Sequence, residues 1–215
     1  MQVFKAACWI LAVLTVFPAA AAVPDPPLAD AESVYLVDTR SHRVLADRHS
    51  QKAMAPASLA KLMTAYLTFE ALERDRTALA REVRISEAAW KIDGSQMFLE
   101  VGERVPVRKL LVGMIVAGGN DAARALAEHL AGGPDTFARM MNRQARRLGM
   151  DHTEFTNPSG LPDAAMHTTA RDMATLARAI TRDFPQYLDL FERDRIRHNG
   201  ITQHDREGLL RYVDG

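Results

Sequence analysis

The sequence predicts a protein of the α/β class, because it contains both strand patterns and helical patterns. Two short runs rich in β-branched and apolar residues, 33–38 and 43–47, flank a polar turn and predict a β-hairpin. A long run of good helix formers extends over 57–74. The run 107–116 is apolar enough to form a buried helix. Together these segments predict a hairpin followed by a largely helical region.

Three more helices are predicted between and after these elements. Each one begins at a turn signal or a capping residue and continues until the helical pattern ends. The predicted elements are a mixed segment over 81–107, a helix over 122–130 after a break at 118–121, a helix over 136–148 capped by Asp135, a helix from Thr169 or Asp172 to about 182, and a mixed tail over 196–215. The arginines of the 136–148 helix are expected to form a solvated face.

Ser58 and Lys61 are the first candidates for chemistry, since they are three residues apart at the start of the 57–74 helix. Side chains at this spacing lie on the same helical face. A serine hydroxyl is a weak nucleophile until a base removes its proton, and a lysine amine can do so when burial or a nearby cation lowers its pKa. The helix N-terminus would direct backbone N–H groups toward negative charge near Ser58. Alone, the pattern also fits a capping serine followed by a solvated lysine.

Composition and charge limit the size of the domain and the kinds of partner that the sequence favours. The chain has 215 residues, 47% hydrophobic and 25% charged, which is ordinary for one large globular domain or two small ones. The 27 basic residues balance 27 acidic ones, so the charge does not favour nucleic acid or an anionic membrane surface as a partner.

Residues 1–22 are predicted to be a secretory signal peptide. Lys5 precedes an apolar run over 6–17, and a stretch of alanines provides a cleavage site near Ala21 or Ala22. The run is shorter than the ~20 residues that a membrane span needs. The single cysteine, Cys8, lies inside this segment, so we expect an exported mature protein without disulfides, cysteine chemistry or cysteine-based metal sites.

No cofactor or metal is expected. The seven histidines are scattered without the spacing of a ligand pair. The sequence lacks the glycine-rich motifs that cradle nucleotides, and it lacks the G-x-S-x-G turn of the α/β-hydrolases.

Several collinear segments resemble the low-molecular-mass penicillin-binding proteins, specifically the serine-type D-alanyl-D-alanine carboxypeptidases. The resemblance extends from about Ser33 to the end of the sequence, and the Ser-x-x-Lys motif is a known signature of penicillin-binding proteins. The matching segments are ASLAKLMT at 57–64, GSQMF at 94–98, GMIVAGGNDAA at 113–123, FTNPSGLPD at 155–163, HTTARD at 167–172 and NGITQH at 199–204.

The resemblance implies a fold and an activity. The fold is that of β-lactamases and transpeptidases: an antiparallel sheet with a mostly helical subdomain, about 75–185, within a catalytic domain over 23–215. Ser58 would attack the penultimate D-Ala carbonyl of a peptidoglycan stem peptide, and Lys61 would be its base. Asn120 of the second motif would complete the proton relay and hold substrate, and β-lactams would acylate Ser58. The implied location is the periplasm or cell envelope of a bacterium.

The sequence departs from the family at two places. The second motif of the family is Ser-x-Asn, but here it reads Gly118-Gly119-Asn120, so a hydroxyl is missing at Gly118. The family also places a Lys-Thr-Gly strand after Val-Asp-Gly, whereas this sequence ends at Val213-Asp214-Gly215. The resemblance therefore implies C-terminal truncation: the remaining sheet strands, the carboxylate-binding motif and any membrane anchor lie outside the sequence, and impaired activity is expected.

Two alternatives to a carboxypeptidase remain open. A D,D-endopeptidase would use the same Ser58 and Lys61, and a non-catalytic protein that binds peptidoglycan or penicillin would fit the missing hydroxyl at Gly118. A β-lactamase is disfavoured, because the segment 155–163 lacks the Glu-x-x-x-Asn pattern of a deacylating base.

Overall fold

A computed structural model describes residues 31–205 of the chain. The predicted signal peptide, 1–22, and the segment 213–215 lie outside the described residues. Two 3-10 turns, Ala57–Leu59 and Pro185–Leu190, accompany the regular elements. These elements are β1 (Val34–Val37), β2 (Val44–Arg48), α1 (Ala60–Glu73), β3 (Glu82–Arg84), α2 (Glu87–Trp90), β4 (Arg104–Pro106), α3 (Val107–Val116), α4 (Asn120–Ala131), α5 (Pro134–Arg147), α6 (Ala170–Asp183), β5 (Arg195–His198) and β6 (Ile201–His204).

The strands of residues 31–205 form three two-stranded antiparallel sheets, β1–β2, β3–β4 and β5–β6. The predicted hairpin is confirmed, with Val34 opposite Arg48 and a bulge between Leu36 and Val37. A two-stranded hairpin is only marginally stable alone, so it needs a packing partner. Here β1 packs against α6, and the guanidinium of Arg171 lies 6.0 Å from the ring centre of Tyr35.

Helix α1 forms the centre of the molecule. Eleven of its fourteen residues are buried, and α3, α4, α5 and α6 pack around it. A helix that is apolar on every face is stable only inside a core, because each face must be covered by another element. The helix predicted over 57–74 is therefore confirmed as the core helix, with its first three residues in a 3-10 turn and α1 itself beginning at Ala60. Residues at its N-terminus are anchored by the helices that pack around it. None of the helices within residues 31–205 is long and apolar enough to cross a bilayer.

Two predicted helix starts were wrong, and tertiary contacts explain the first. Helix α4 begins at Asn120, not at Ala122. Asn and Asp commonly mark turns, but here the Asn120 backbone N–H donates to Ser95 O at 2.7 Å. The Asp121 carboxylate also accepts the Ala122 N–H at 2.8 Å. Both residues are thereby stabilised within the first helical turn.

The second wrong start concerns α5, which begins at Pro134, with Gly133 and not Asp135 at the cap position. Proline is favoured at the first helical residue, because its fixed φ suits a helix and its missing N–H would have no helical partner there. Asp135 lies in the first turn, where a carboxylate interacts favourably with the helix dipole. At α6 the cap is Thr169, whose hydroxyl accepts the Asp172 N–H at 3.1 Å.

We expect stability at alkaline pH to depend on Tyr66. Its hydroxyl donates to Asp183 at 2.9 Å, and burial, followed by this hydrogen bond, raises the pKa of Tyr66 to about 12. A phenol whose pKa is higher in the folded state than in the unfolded state loses its stabilising contribution as pH rises from about 10 through the folded pKa. Tyr66→Phe should lower the melting temperature at pH 7 and reduce its further decline between pH 9 and 12.

Tyr187→Phe is the matched variant, because burial and a hydrogen bond to Glu73 raise the pKa of Tyr187 to about 12 as well. The two single variants should each remove part of the alkaline decline, and the double variant should remove more. Melting curves of Tyr66→Phe that run parallel to those of the unmodified chain up to pH 12 would contradict the assignment.

Candidate active site

Ser58 lies in the 3-10 turn that leads directly into α1. Ser58 is exposed, whereas Lys61, in the first turn of α1, is only 7% exposed. The Lys61 Nζ lies 3.2 Å from the Ser58 Oγ, within hydrogen-bond distance. The structure therefore brings an accessible hydroxyl against a buried amine, in the arrangement that the Ser-x-x-Lys spacing predicts.

A loop far along the chain holds the Lys61 amine in place. The Nζ donates to the backbone oxygen of Ser159 at 2.7 Å, and the Thr64 hydroxyl donates to Pro158 O at 2.7 Å. These two contacts join the first turns of α1 to residues 157–161, named here the 157–161 loop. Because its carbonyl partner is fixed, the Lys61 amine is oriented next to Ser58.

Asn157 organises this loop. Its Oδ1 accepts the backbone N–H groups of Ser159, Gly160 and Leu161 at 3.2, 2.8 and 3.1 Å. Its Nδ2 donates to Leu161 O at 2.9 Å. Asparagine side chains commonly close turns in this way, by bonding to backbone groups a few residues on. Asn157 is therefore a positioning residue for the carbonyl that contacts Lys61.

The backbone before Ser58 is in direct contact with the same loop. Ala57 has a φ of +46°, in the left-handed region that alanine rarely adopts. Gly160 has a φ of +80°, and a Cβ at this position would lie 1.7 Å from Ala57 O. Only glycine fits there, so the loop can approach the nucleophile turn as closely as it does.

The second motif lies at the start of α4. Asn120 is buried, and its Nδ2 donates to Asp93 O at 2.7 Å. Gly118 has a φ of +65° and is partly buried. Of the predicted site residues, the structure thus places Ser58 with Lys61, and it places Gly118 and Asn120 beside the segment 93–98.

Asp121 fixes the segment 93–98 to α4. Its carboxylate, 1% exposed, accepts the Met97 N–H on both oxygens at 3.0 Å and the Leu99 N–H at 3.2 Å. A buried carboxylate is stable only when backbone donors of this kind replace its hydration. The segment 93–98 and the first turn of α4 therefore form one rigid unit.

The 157–161 loop also approaches the second motif. A Cβ placed on Gly94 would lie 2.7 Å from the Asn120 Nδ2 and 3.9 Å from a methyl carbon of Leu161. Leu161 of the loop therefore lies near Gly94, while Ser159 accepts the hydrogen bond of the Lys61 amine. Within residues 31–205, no group of three or more histidine or acidic side chains is placed to hold a metal ion.

Sequence reasoning missed four contributors to this site: the Ser159 carbonyl, the amide of Asn157, the carboxylate of Asp121 and the strained backbone at Ala57. Asn157, Ser159 and Asp121 all lie inside segments that carry the family resemblance, so that resemblance was the available signal. Their roles, however, arise from contacts between distant segments, such as the hydrogen bond between Lys61 and Ser159, which are 98 positions apart in the sequence.

Comparisons with known proteins identify the family of this chain. The D-alanyl-D-alanine carboxypeptidase family matches residues 20–214, and the chain belongs to that family. D-alanyl-D-alanine carboxypeptidase DacD of Salmonella typhimurium is 38% identical over 202 residues, which cover 89% of this chain and 52% of the relative. DacF of Bacillus subtilis is 39% identical over 153 residues, which cover 71% of this chain and 39% of the relative.

Solved structures show the same fold. Penicillin binding protein 5 from Haemophilus influenzae superposes with a TM-score of 0.84 at 37% identity, over 87% of this chain and 55% of that one. Penicillin-Binding Protein D2 from Listeria monocytogenes, in its ampicillin-bound form, superposes with a TM-score of 0.77 at 26% identity, over 88% of this chain and 78% of that one. The fold is therefore α/β and of the penicillin-binding, β-lactamase-like kind, as predicted. The chain spans about half the length of the curated relatives it matches.

Proposed function

We propose that this chain contains the nucleophile and the general base of a serine-type D-alanyl-D-alanine carboxypeptidase. Such an enzyme removes the terminal D-Ala from peptidoglycan stem peptides. The observation that carries the proposal is the 3.2 Å distance between the exposed Ser58 hydroxyl and the buried Lys61 amine. Catalysis by an activated serine requires this pairing of a nucleophile with a base within hydrogen-bond reach.

In the proposed reaction Lys61, in its neutral form, takes the proton of Ser58 as the Oγ attacks the penultimate D-Ala carbonyl. The backbone N–H of Ser58 lies in the first turn before α1, where unpaired helical N–H groups can stabilise the developing oxyanion. Collapse of the tetrahedral intermediate releases D-Ala and leaves an acyl-enzyme on Ser58. Water then hydrolyses the ester. β-Lactams would acylate the same hydroxyl as mimics of the D-Ala-D-Ala end.

The rest of the proposal concerns the whole protein. Residues 1–22 serve as a signal peptide, and residues 23–215 belong to the catalytic domain, with a helical subdomain over about 75–185. The protein acts in the periplasm or cell envelope of a bacterium. Its partners are stem peptides ending in D-Ala-D-Ala, and it needs no metal or cofactor.

A second candidate function is non-catalytic binding of peptidoglycan or penicillin. The missing hydroxyl at Gly118 favours it, because loss of one proton-relay group costs about 10²-fold or more in rate. A D,D-endopeptidase remains an alternative within the catalytic class, since it would use the same pair of residues.

The test is intact-mass analysis of the chain after incubation with benzylpenicillin. We expect one covalent adduct, and we expect Ser58→Ala to abolish it. Ser33 is partly buried, precedes α1 by more than twenty residues and donates to His49 O, so Ser33→Ala is the serine-to-alanine control and should keep the adduct. A folded, unlabelled chain would refute acylation. An adduct without release of D-Ala from a stem-peptide mimic would favour the second candidate function, non-catalytic binding.

A further inference from the structure

The position of the missing hydroxyl can be located from the backbone of Gly118. A Cβ built on Gly118 would lie 3.8 Å from the Cβ of Ser95, in ordinary van der Waals contact, and no other heavy atom outside the adjacent residues lies within 4 Å of it in the described part of the chain. A serine at 118 would therefore direct its side chain toward Ser95. The volume that this side chain would fill is bordered by the Ser95 side chain.

Ser95 is held firmly in this place. Its backbone oxygen accepts the Asn120 N–H at 2.7 Å, and two residues later the Met97 N–H is bound by Asp121. Asn120 is also bound to Asp93 O on the other side of Ser95 at 2.7 Å. Ser95 is partly buried, so it does not belong to the fully buried core.

We propose that the Ser95 hydroxyl replaces the second-motif hydroxyl that residue 118 lacks, and relays the proton from Lys61 to the leaving amine. The Ser95 hydroxyl is attached to a Cβ that would lie in contact with the Cβ of a serine at 118. The two hydroxyls, each one bond from its Cβ, would therefore lie close to each other. This inference rests on the proposed function, since it assigns a role within the Ser58 acylation reaction.

The relay conserves atoms and charge. As the Ser58 Oγ bonds to the carbonyl carbon, its proton passes to the Lys61 Nζ and the carbonyl electrons move to oxygen. When the C–O double bond forms again, the C–N bond breaks. Lys61 gives its proton to the Ser95 Oγ while the Ser95 O–H proton passes to the departing nitrogen. Lys61 ends neutral, and Ser95 ends as it began.

A double-mutant cycle on the full chain tests the relay, with the second-order rate of acylation by benzylpenicillin as the measurement. Ser95→Ala should slow acylation at least tenfold, because general acid–base groups contribute about 10²–10⁴-fold. Ser95→Thr, which keeps the hydroxyl, should stay within a few fold of the unmodified chain. In the Gly118→Ser background, where the usual hydroxyl is restored, Ser95→Ala should have less than about a threefold effect, because the two hydroxyls are then redundant.

The outcomes separate the relay from the proposed function. A folded chain that is not acylated at all would overturn the proposed function, and the relay with it. A chain that is acylated equally fast with and without the Ser95 hydroxyl would overturn the relay alone. A water molecule at the position of the missing hydroxyl would then be the proton carrier to test. An equal slowing by Ser95→Ala in both backgrounds, or a slow Ser95→Thr variant, would show a structural role and would also overturn it.

Discussion

Lys61→Met is expected to reduce acylation of Ser58 by benzylpenicillin at least a thousandfold while the chain remains folded. The Lys61 Nζ is the group within reach of the Ser58 Oγ, at 3.2 Å, and methionine fills a similar volume without an amine. General bases of this kind contribute about 10²–10⁴-fold in rate. The Ser159 carbonyl would lose its 2.7 Å donor, at a cost of about 1–3 kcal/mol in the free energy of unfolding.

The measurement is the second-order acylation rate, together with a denaturant unfolding curve for each variant. Lys91→Met is the matched control, since Lys91 is exposed at the C-terminal end of α2 and forms a surface ion pair with Glu87. That control should be acylated at the unmodified rate. If Lys61→Met retains acylation within tenfold of the unmodified chain, another group is the base and the mechanism proposed above is wrong.

Gly160→Ala should be the most destabilising single-methyl change in the 157–161 loop. The new Cβ would fall 1.7 Å from Ala57 O and 2.4 Å from Ala57 C, so the loop or the nucleophile turn must move. The clashing atoms, Ala57 O and C, belong to the backbone, which cannot rotate away as a side chain can. We expect a loss of more than about 3 kcal/mol in the free energy of unfolding, with acylation reduced at least a hundredfold because Lys61 loses its carbonyl anchor.

Gly102 provides a closely matched control for this prediction. It has the same φ of +80°, but a Cβ there would meet no atom within 4 Å in the described structure. Gly102→Ala should therefore cost only the left-handed strain, about 1–2 kcal/mol, and leave acylation unchanged. Denaturant curves for both variants give the comparison. Equal destabilisation by the two alanines would mean that the contact with Ala57 is not what requires glycine at 160.

The elements that the sequence predicts well are those with a strong local pattern. The helix over 57–74, the buried helix over 107–116 and the hairpin before them all appear, because apolar spacing and turn residues act over a few positions. The juxtaposition of Ser58 and Lys61 was predictable for the same reason, since helical geometry alone places residues three apart on one face. The overall architecture followed from the family resemblance instead.

The parts that could not be predicted depend on contacts between distant segments. The start of α4 was predicted two residues too late, because the N–H of Asn120 is satisfied by Ser95 O, a backbone group with no sequence signature. The Ser159 carbonyl is equally invisible in sequence, since any residue carries a carbonyl. Gly118 was recognised as a departure, but its direction toward Ser95 required the backbone conformation at 118.

The buried carboxylate of Asp121 has a consequence for how ligands are recognised. Because it ties residues 97 and 99 to the first turn of α4, the backbone around Ser95 and Asn120 is held in place by contacts within the protein. Under the function proposed above, a ligand that contacts Asn120 would not have to pay the entropy cost of ordering this backbone, so more of the contact energy would appear as affinity.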